Sequence, residues 1–158
     1  MTPQANDEFW MRRALDAAQA AQQLDEVPVG AVIVSGGQLI AFAGNRTRTA
    51  CDPTAHAEIL VLRAAARVIG NYRLTDAALY STLEPCAMCA GALVQARVAR
   101  LIYGAPDERF GAVVSQWQLC DNSSLNHRME ITSGVLENEC RALMQTFFRA
   151  RRKKNDEP

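Results

Sequence analysis

Hydrophobic residues recur along the chain with two different spacings, which together predict an alternation of helices and strands. Apolar positions three to four residues apart over 10–24 indicate an amphipathic helix, with Asn6 and Asp7 before it as candidate N-caps. Two β-type runs follow at 29–34 and 39–43, separated by a Ser-Gly-Gly turn. This pattern predicts a β-hairpin directly after the first helix.

The rest of the chain continues the alternation. We expect a second helix from Pro53 to about position 67 and a third from Pro85 to about position 95, since proline is favoured at helix starts. Short apolar runs at 78–83 and 98–103 predict strands. The last predicted elements are a short helix at 114–119, a strand at 130–135 and a basic C-terminal helix at 136–154. Strands that alternate with helices imply a layered α/β domain with parallel crossovers after the hairpin.

Length and composition are those of one folded domain, which we expect to span residues 1–158. Hydrophobic residues make up 49% of the chain and charged residues 22%, a balance that excludes global disorder. The polar, acidic N-terminus lacks the features of a signal peptide, and no apolar run is long enough to cross a bilayer. We therefore expect a cytoplasmic protein without membrane association.

Charge is distributed unevenly although the net charge is zero. Six of the 17 basic residues lie between Arg141 and Lys154, and all 17 acidic residues lie outside that segment. This basic arm is the one segment whose charge favours binding of a polyanion such as a nucleic acid. The alternative interpretation is a helix end that is simply exposed to solvent.

Two short motifs carry the candidate chemistry. His56-Ala57-Glu58 supplies an imidazole and a carboxylate, and Cys86 and Cys89 form a C-x-x-C pair after Pro85. One imidazole and two thiolates leave the fourth position of a tetrahedral Zn²⁺ open, as in catalytic zinc sites. Zinc would lower the pKa of a bound water, and Glu58 would take up its proton and return it to the leaving group. Glu58→Ala should then retain zinc and abolish turnover.

The cysteines and histidines also fit other interpretations. The C-x-x-C pair alone is also typical of a redox centre, but that interpretation leaves the H-x-E motif unexplained. It is also typical of half a structural zinc site, but the sequence has no second C-x-x-C pair to complete one. We expect Cys51, Cys120 and Cys140 to be small buried hydrophobic residues, and His127 to be a structural or surface histidine.

At the two motifs the chain resembles zinc-dependent deaminases of the cytidine-deaminase-like superfamily. The likeness to the bacterial tRNA-specific adenosine deaminases covers roughly residues 9–152. It is carried by the segments 26–31, 52–58, 71–74, 82–86, 126–128 and 147–149. The resemblance implies a three-layer αβα sandwich with a five-stranded mixed sheet, a Zn²⁺ cofactor and a homodimer. It also implies deamination of adenosine to inosine at the wobble position of a tRNA anticodon stem-loop.

The resemblance further implies a set of substrate-binding residues. Asn45 corresponds to an asparagine that contacts the target nucleoside, and Asp107 to an aspartate near the ribose of a flanking nucleotide. Pro106 stands where relatives often carry a basic side chain, and Arg109 is a candidate to compensate. Val27 and Leu83 correspond to apolar positions of the pocket wall, and Phe148 and Arg149 to positions near the bases and backbone of the loop. Ala57 is a further predicted substrate-binding residue, and the charge of the basic arm adds Arg151 and Arg152 as predicted phosphate contacts.

Two alternative functions stay open from the residues alone. A deaminase of a free base or nucleoside, such as cytosine, cytidine or guanine, would share the zinc ligands and Glu58 but would not need the basic arm. A catalytically inactive, zinc-stabilised RNA-binding module would need the arm but not Glu58.

Overall fold

The structure is a computed structural model in which residues 1–156 are described. Its elements follow one another in the order α1 (Pro3–Gln23), β1 (Gly30–Ser35), β2 (Gln38–Gly44), α2 (Ala57–Ile69), β3 (Ala77–Leu83), α3 (Ala87–Gln95), β4 (Arg100–Ala105), β5 (Glu130–Thr132) and α4 (Glu137–Asp156). The predicted hairpin and the four longer predicted helices are therefore confirmed. The last two residues of the predicted domain, 157 and 158, lie outside the described residues.

The five strands form one mixed sheet in the order β2-β1-β3-β4-β5. β1 pairs antiparallel with β2 and β3, whereas β3–β4 and β4–β5 are parallel. A parallel pair requires a crossover connection, and α3 supplies it between β3 and β4. The predicted α/β class with a mixed five-stranded sheet is confirmed.

Helices cover both faces of the sheet, so the central strands are apolar on both sides. Val32 and Tyr80 face α1 and α4, while the neighbouring Ile33 and Leu79 face α2 and α3. This alternation follows from the two-residue period of strand side chains. The continuous apolar runs in the sequence reflect burial on both faces.

α1 lies very close to β1 because one strand residue has no side chain. A Cβ added at Gly30 would collide with the backbone of α1 at Ala14 and Ala18. Those two positions, with Ala17 and Ala21, make the inner face of α1 a row of small residues. Glycine on the strand and alanine on the helix thus set the distance between the two layers.

Three predicted helix starts were wrong, and local side-chain hydrogen bonds account for the first two. Thr2, not Asn6 or Asp7, caps α1, and its Oγ1 accepts the N–H of Ala5 at 3.1 Å. α2 begins at Ala57 instead of Pro53, since the Asp52 carboxylate accepts hydrogen bonds from Thr54 and holds a turn there. α3 likewise begins at Ala87, with Cys86 as its N-cap.

The region between β4 and α4 also differs from expectation. The predicted helix at 114–119 is absent from the described residues, and turns take its place. The predicted strand at 130–135 is shortened to Glu130–Thr132, and α4 runs to Asp156.

The isolated cysteines and the second histidine have structural positions. Cys120 and Cys140 are buried as predicted, whereas the prediction for Cys51 was wrong because this residue is exposed in a loop. The Nε2 of His127 donates a hydrogen bond to the carbonyl oxygen of Val98 at 2.7 Å. Among the described residues, no helix combines the length and apolarity needed to cross a membrane.

Candidate metal and catalytic site

The predicted metal ligands lie at the N-termini of two helices. His56 is the N-cap of α2, Cys86 is the N-cap of α3, and Cys89 lies in the first turn of α3. The Nδ1 of His56 is 3.6 Å from the Sγ of Cys86 and 3.4 Å from the Sγ of Cys89. The three ligand atoms form one group, all within 4.8 Å of each other. Residues from two distant motifs therefore converge on one point.

These separations suit a tetrahedral metal ion. Zinc about 2.3 Å from sulfur and about 2.0 Å from nitrogen places those two atoms roughly 3.5 Å apart at a tetrahedral angle. The observed distances of 3.4 and 3.6 Å agree with that value. His56, Cys86 and Cys89 therefore form a group whose geometry suits a metal ion.

The thiol pair is polarised. The hydrogen bond from Cys89 is the largest influence on the pKa of Cys86 and, with a further contribution from His56, lowers it to about 4. The same contact, together with burial, raises the pKa of Cys89. The hydrogen bond with Cys86 raises the pKa of His56. Cys86 is therefore a thiolate at neutral pH, which is the form that metals bind.

Glu58 lies next to the ligand group and is buried in the first turn of α2. Its Oε1 has no hydrogen-bond partner among residues 1–156. Burial raises the pKa of this carboxyl, and the charge of His56 opposes the effect. A buried carboxylate oxygen without a protein partner is costly unless it serves a ligand or a proton transfer.

A cleft of about 1150 Å³ opens over this group. His56, Glu58 and Cys86 line it, whereas Cys89 is fully buried in α3. Its walls come from the α1–β1 and β2–α2 connections, from the loop after β4 and from α4. The predicted binding residues that line it are Val27, Asn45, Leu83, Asp107, Phe148, Arg149 and Arg152.

Asn45 has a defined orientation in this cleft. Its Oδ1 accepts the backbone N–H of Ala57 at 2.8 Å, which satisfies the first free amide of α2. The side-chain NH₂ is thereby the part of Asn45 left to donate to a ligand. Ala57 itself is fully buried and does not line the cleft in the described part of the chain.

Arg151 is the second predicted binding residue that the structure places elsewhere. Its guanidinium contacts the carboxylate of Asp25 at 3.0 Å and lies over the ring of Phe147 at 4.9 Å. Arg149 and Arg152, on the same helix, do line the cleft. Helical periodicity separates these neighbours, because successive residues point about 100° apart.

Glu84 is a site residue that sequence reasoning missed. It is buried, and its two oxygens accept hydrogen bonds from the N–H groups of Asp107, Val113, Val114 and Ser115 and from the hydroxyl of Ser115. This carboxylate organises the loop after β4 that forms one wall of the cleft. The sequence feature that could have indicated it is an acidic residue between an apolar strand and a proline.

Glu26 has the same role on the opposite side. It is fully buried and accepts hydrogen bonds from the backbone N–H of Arg48 and from the N–H and hydroxyl of Thr49. The loop that carries Asn45 and Thr47 into the cleft is thereby fixed to the segment that carries Val27. Pro106 and Arg109 also line the cleft, beside Asp107.

The layered sheet and the ligand group at two helix N-termini together define the cytidine-deaminase-like class of deaminases. Comparison with known proteins agrees with this class. The chain matches the MafB19-like deaminase family over residues 5–152. It is 49% identical to the tRNA-specific adenosine deaminase of Haemophilus influenzae over 147 residues, covering 92% of this chain and 85% of the relative. It is 45% identical to that of Bacillus subtilis, with 94% and 92% covered.

Solved structures give the same result. A structure from a study of A-to-I editing by tRNA:A34 deaminases is 47% identical with a TM-score of 0.83, covering 85% of this chain and 98% of that one. A guanine deaminase from Bacillus subtilis is 40% identical with a TM-score of 0.61, covering 67% and 66%. The chain belongs to the tRNA-specific adenosine deaminase family.

Proposed function

We propose that this chain is a zinc-dependent enzyme that converts adenosine to inosine at the wobble position of a tRNA anticodon loop. The observation that carries the proposal is one cleft that is lined by His56, Glu58 and Cys86 and also by basic residues of α4. The names of the relatives support the same reaction on the same substrate.

The reaction consumes one water and releases one ammonia. When bound by His56, Cys86 and Cys89, zinc would supply a water acidic enough to act as a nucleophile near neutral pH. The unbonded Oε1 of Glu58 is the group that would accept a proton from such a water and return it to the departing amino group. The C6–N bond of adenine breaks, a C6–O bond forms, and ammonia leaves.

The remaining lining residues orient the nucleoside. The NH₂ of Asn45 donates to the target, because its Oδ1 is committed to Ala57. Val27 and Leu83 provide apolar surface on two sides of the base. A base held between apolar walls near a fixed donor has few alternative orientations, which is how positioned groups gain rate.

The rim of the cleft suits a single-stranded loop. A base in such a loop can be turned outward into a pocket without breaking a duplex. Asp107, Phe148, Arg149 and Arg152 all line the cleft. We propose that the two arginines contact phosphates, that Phe148 stacks on a base and that Asp107 contacts the ribose of a flanking nucleotide. We include Arg109 as the basic residue that replaces a contact absent at Pro106.

We also propose that the chain forms a homodimer in the cytoplasm, as the family resemblance implies. Sedimentation velocity of the purified protein tests the dimer: a single species of twice the 17.3 kDa chain mass is the expected result. A monomer at micromolar concentration would contradict it.

One assay separates the candidate functions. The purified protein is incubated with an anticodon stem-loop carrying a wobble adenosine and, separately, with free adenosine, cytidine, cytosine and guanine. Inosine formed in the stem-loop is the expected result. Activity confined to guanine would instead favour the second candidate, which the likeness to guanine deaminase keeps open. Binding of the stem-loop without turnover would indicate an inactive RNA-binding module.

A further inference from the structure

An aromatic side chain at the rim of the cleft has no role in the chemistry described so far. Phe110 lines the cleft, and 66% of its surface is exposed. Phe148 of α4 lines the same cleft and is 41% exposed. A large exposed aromatic ring in a binding cleft provides apolar surface that a ligand can cover.

The backbone around Phe110 is held in place by several hydrogen bonds. The Oδ1 of Asp107 accepts the N–H groups of Arg109 and Phe110, both at 3.1 Å. The N–H of Asp107 is in turn bound by the buried Glu84, and Gly111 pairs with the metal ligand Cys86. The ring is therefore attached to an ordered turn, so little backbone freedom is lost when a ligand covers it.

We propose that Phe110 is a substrate-binding residue that stacks on the base of a nucleotide next to the target nucleotide. This inference rests on the function proposed above and adds a second base contact to it. Turning the target base out of the loop removes the stacking partner of its neighbour, and an aromatic ring is a sequence-tolerant replacement. Arg109, adjacent in the same wall of the cleft, places a cation beside the connecting phosphate.

Three variants and one RNA series test the proposal. We expect Phe110→Ala to raise the Kd for the stem-loop about 5- to 160-fold, the range for loss of one base–aromatic stack. The single-turnover rate at saturating RNA should stay within about twofold, because the metal ligands and Glu58 are untouched. Phe110→Tyr should restore affinity. Trp117→Ala is the matched control, since Trp117 is 59% exposed and lies outside the cleft lining formed by the described residues.

Stem-loops with one abasic position on either side of the target identify the stacked base. On the RNA that lacks the stacked base, Phe110→Ala should raise the Kd by less than about twofold. On the other abasic RNA, the substitution should raise the Kd as much as it does on the intact stem-loop. Equal loss on every RNA, or a changed oligomeric state in sedimentation, would overturn the proposal. If wild type deaminates the stem-loop and Phe110→Ala binds it normally, this inference alone fails. If wild type leaves the stem-loop unchanged, the proposed function fails with it.

Discussion

Three buried carboxylates surround the cleft, and their hydrogen bonds give them different roles. Burial tends to raise the pKa of Glu84 and of Glu26, but hydrogen bonds from Ser115 and from Thr49, respectively, outweigh it and lower both values. Glu58 has an unbonded oxygen, and burial raises its pKa. Two of these carboxylates are therefore fixed structural acceptors, and Glu58 is the one free to exchange a proton with a ligand.

Replacing Glu58 should separate metal binding from turnover. We expect Glu58→Gln and Glu58→Ala to slow deamination of the stem-loop by about 10²- to 10⁴-fold, the usual contribution of a general acid–base group. Metal content should stay at wild-type level, because His56, Cys86 and Cys89 remain. Single-turnover assays and elemental analysis of the same samples provide both readouts. If the variants lose metal in parallel with activity, Glu58 contributes to metal binding and not only to proton transfer.

At the scale of whole elements, the candidate site lies at the N-termini of two helices. The N-termini of α2 and α3 carry the three side chains whose geometry suits a metal ion. The spacing between the layers then sets how the helices meet the sheet. We expect substitutions that alter this packing to lower the free energy of unfolding more than they lower the rate of deamination.

Two glycines provide a matched test of layer packing. Gly30→Ala should destabilise the protein by about 1–3 kcal/mol, because the added methyl meets the backbone of α1. Gly91→Ala should be neutral or stabilise by up to about 1 kcal/mol, since Gly91 lies within α3 with open space around it. Urea unfolding of both variants measures the difference. Equal effects would contradict the inferred contact between α1 and β1.

The ion pair between α1 and β4 should make stability depend on pH. Asp7 contacts Arg100 at 2.6 Å and accepts the hydroxyl hydrogen of Tyr80 at 2.8 Å. Burial opposes ionisation of Asp7, but the bonds with Arg100 and Tyr80 prevail and lower its pKa. Its contribution is therefore full above the unfolded pKa of about 3.9 and is lost as pH falls through the lower folded value.

Asp7→Asn should thus cost about 3 kcal/mol at pH 7, and the difference from wild type should shrink as the pH falls below about 4. The measurement is urea unfolding of both proteins across this pH range. Asp16→Asn, at an exposed position of the same helix, is the control and should change stability by less than about 0.5 kcal/mol. If the two proteins differ in unfolding free energy by the same amount at all pH values, the lost stability comes from packing and not from the ion pair.

Across the whole molecule, the sequence predicts the features that depend on local pattern and misses those that depend on distant partners. The hairpin and the central strands follow from apolar periodicity, and the ligand set follows from motif spacing. The turns of the loop after β4 were mistaken for a helix, because the N–H groups of Val113, Val114 and Ser115 bind Glu84, which lies about 30 positions earlier. No local propensity reports such a contact.

The basic arm illustrates the same limit. Its charge is evident in the sequence, but the direction of each side chain depends on how α4 packs. Arg12 pairs with Glu139 and Arg151 with Asp25, so both ends of α4 are tied to α1 or to the segment after it. This packing leaves Arg149 and Arg152 at the cleft.

Salt dependence of RNA binding distinguishes the arginines that contact phosphates from those that hold the helix. Each contact with a single-stranded phosphate releases counterions and adds about 0.7 to the slope of log K against log salt. We expect Arg149→Gln and Arg152→Gln each to lower the slope by about that amount. Arg151→Gln is the matched control from the same helix and should leave the slope unchanged, because its partner is Asp25. Filter binding of the stem-loop at several salt concentrations gives the slopes. A lowered slope for Arg151→Gln with unaltered slopes for the other two variants would contradict the inference that Arg149 and Arg152, and not Arg151, face the RNA.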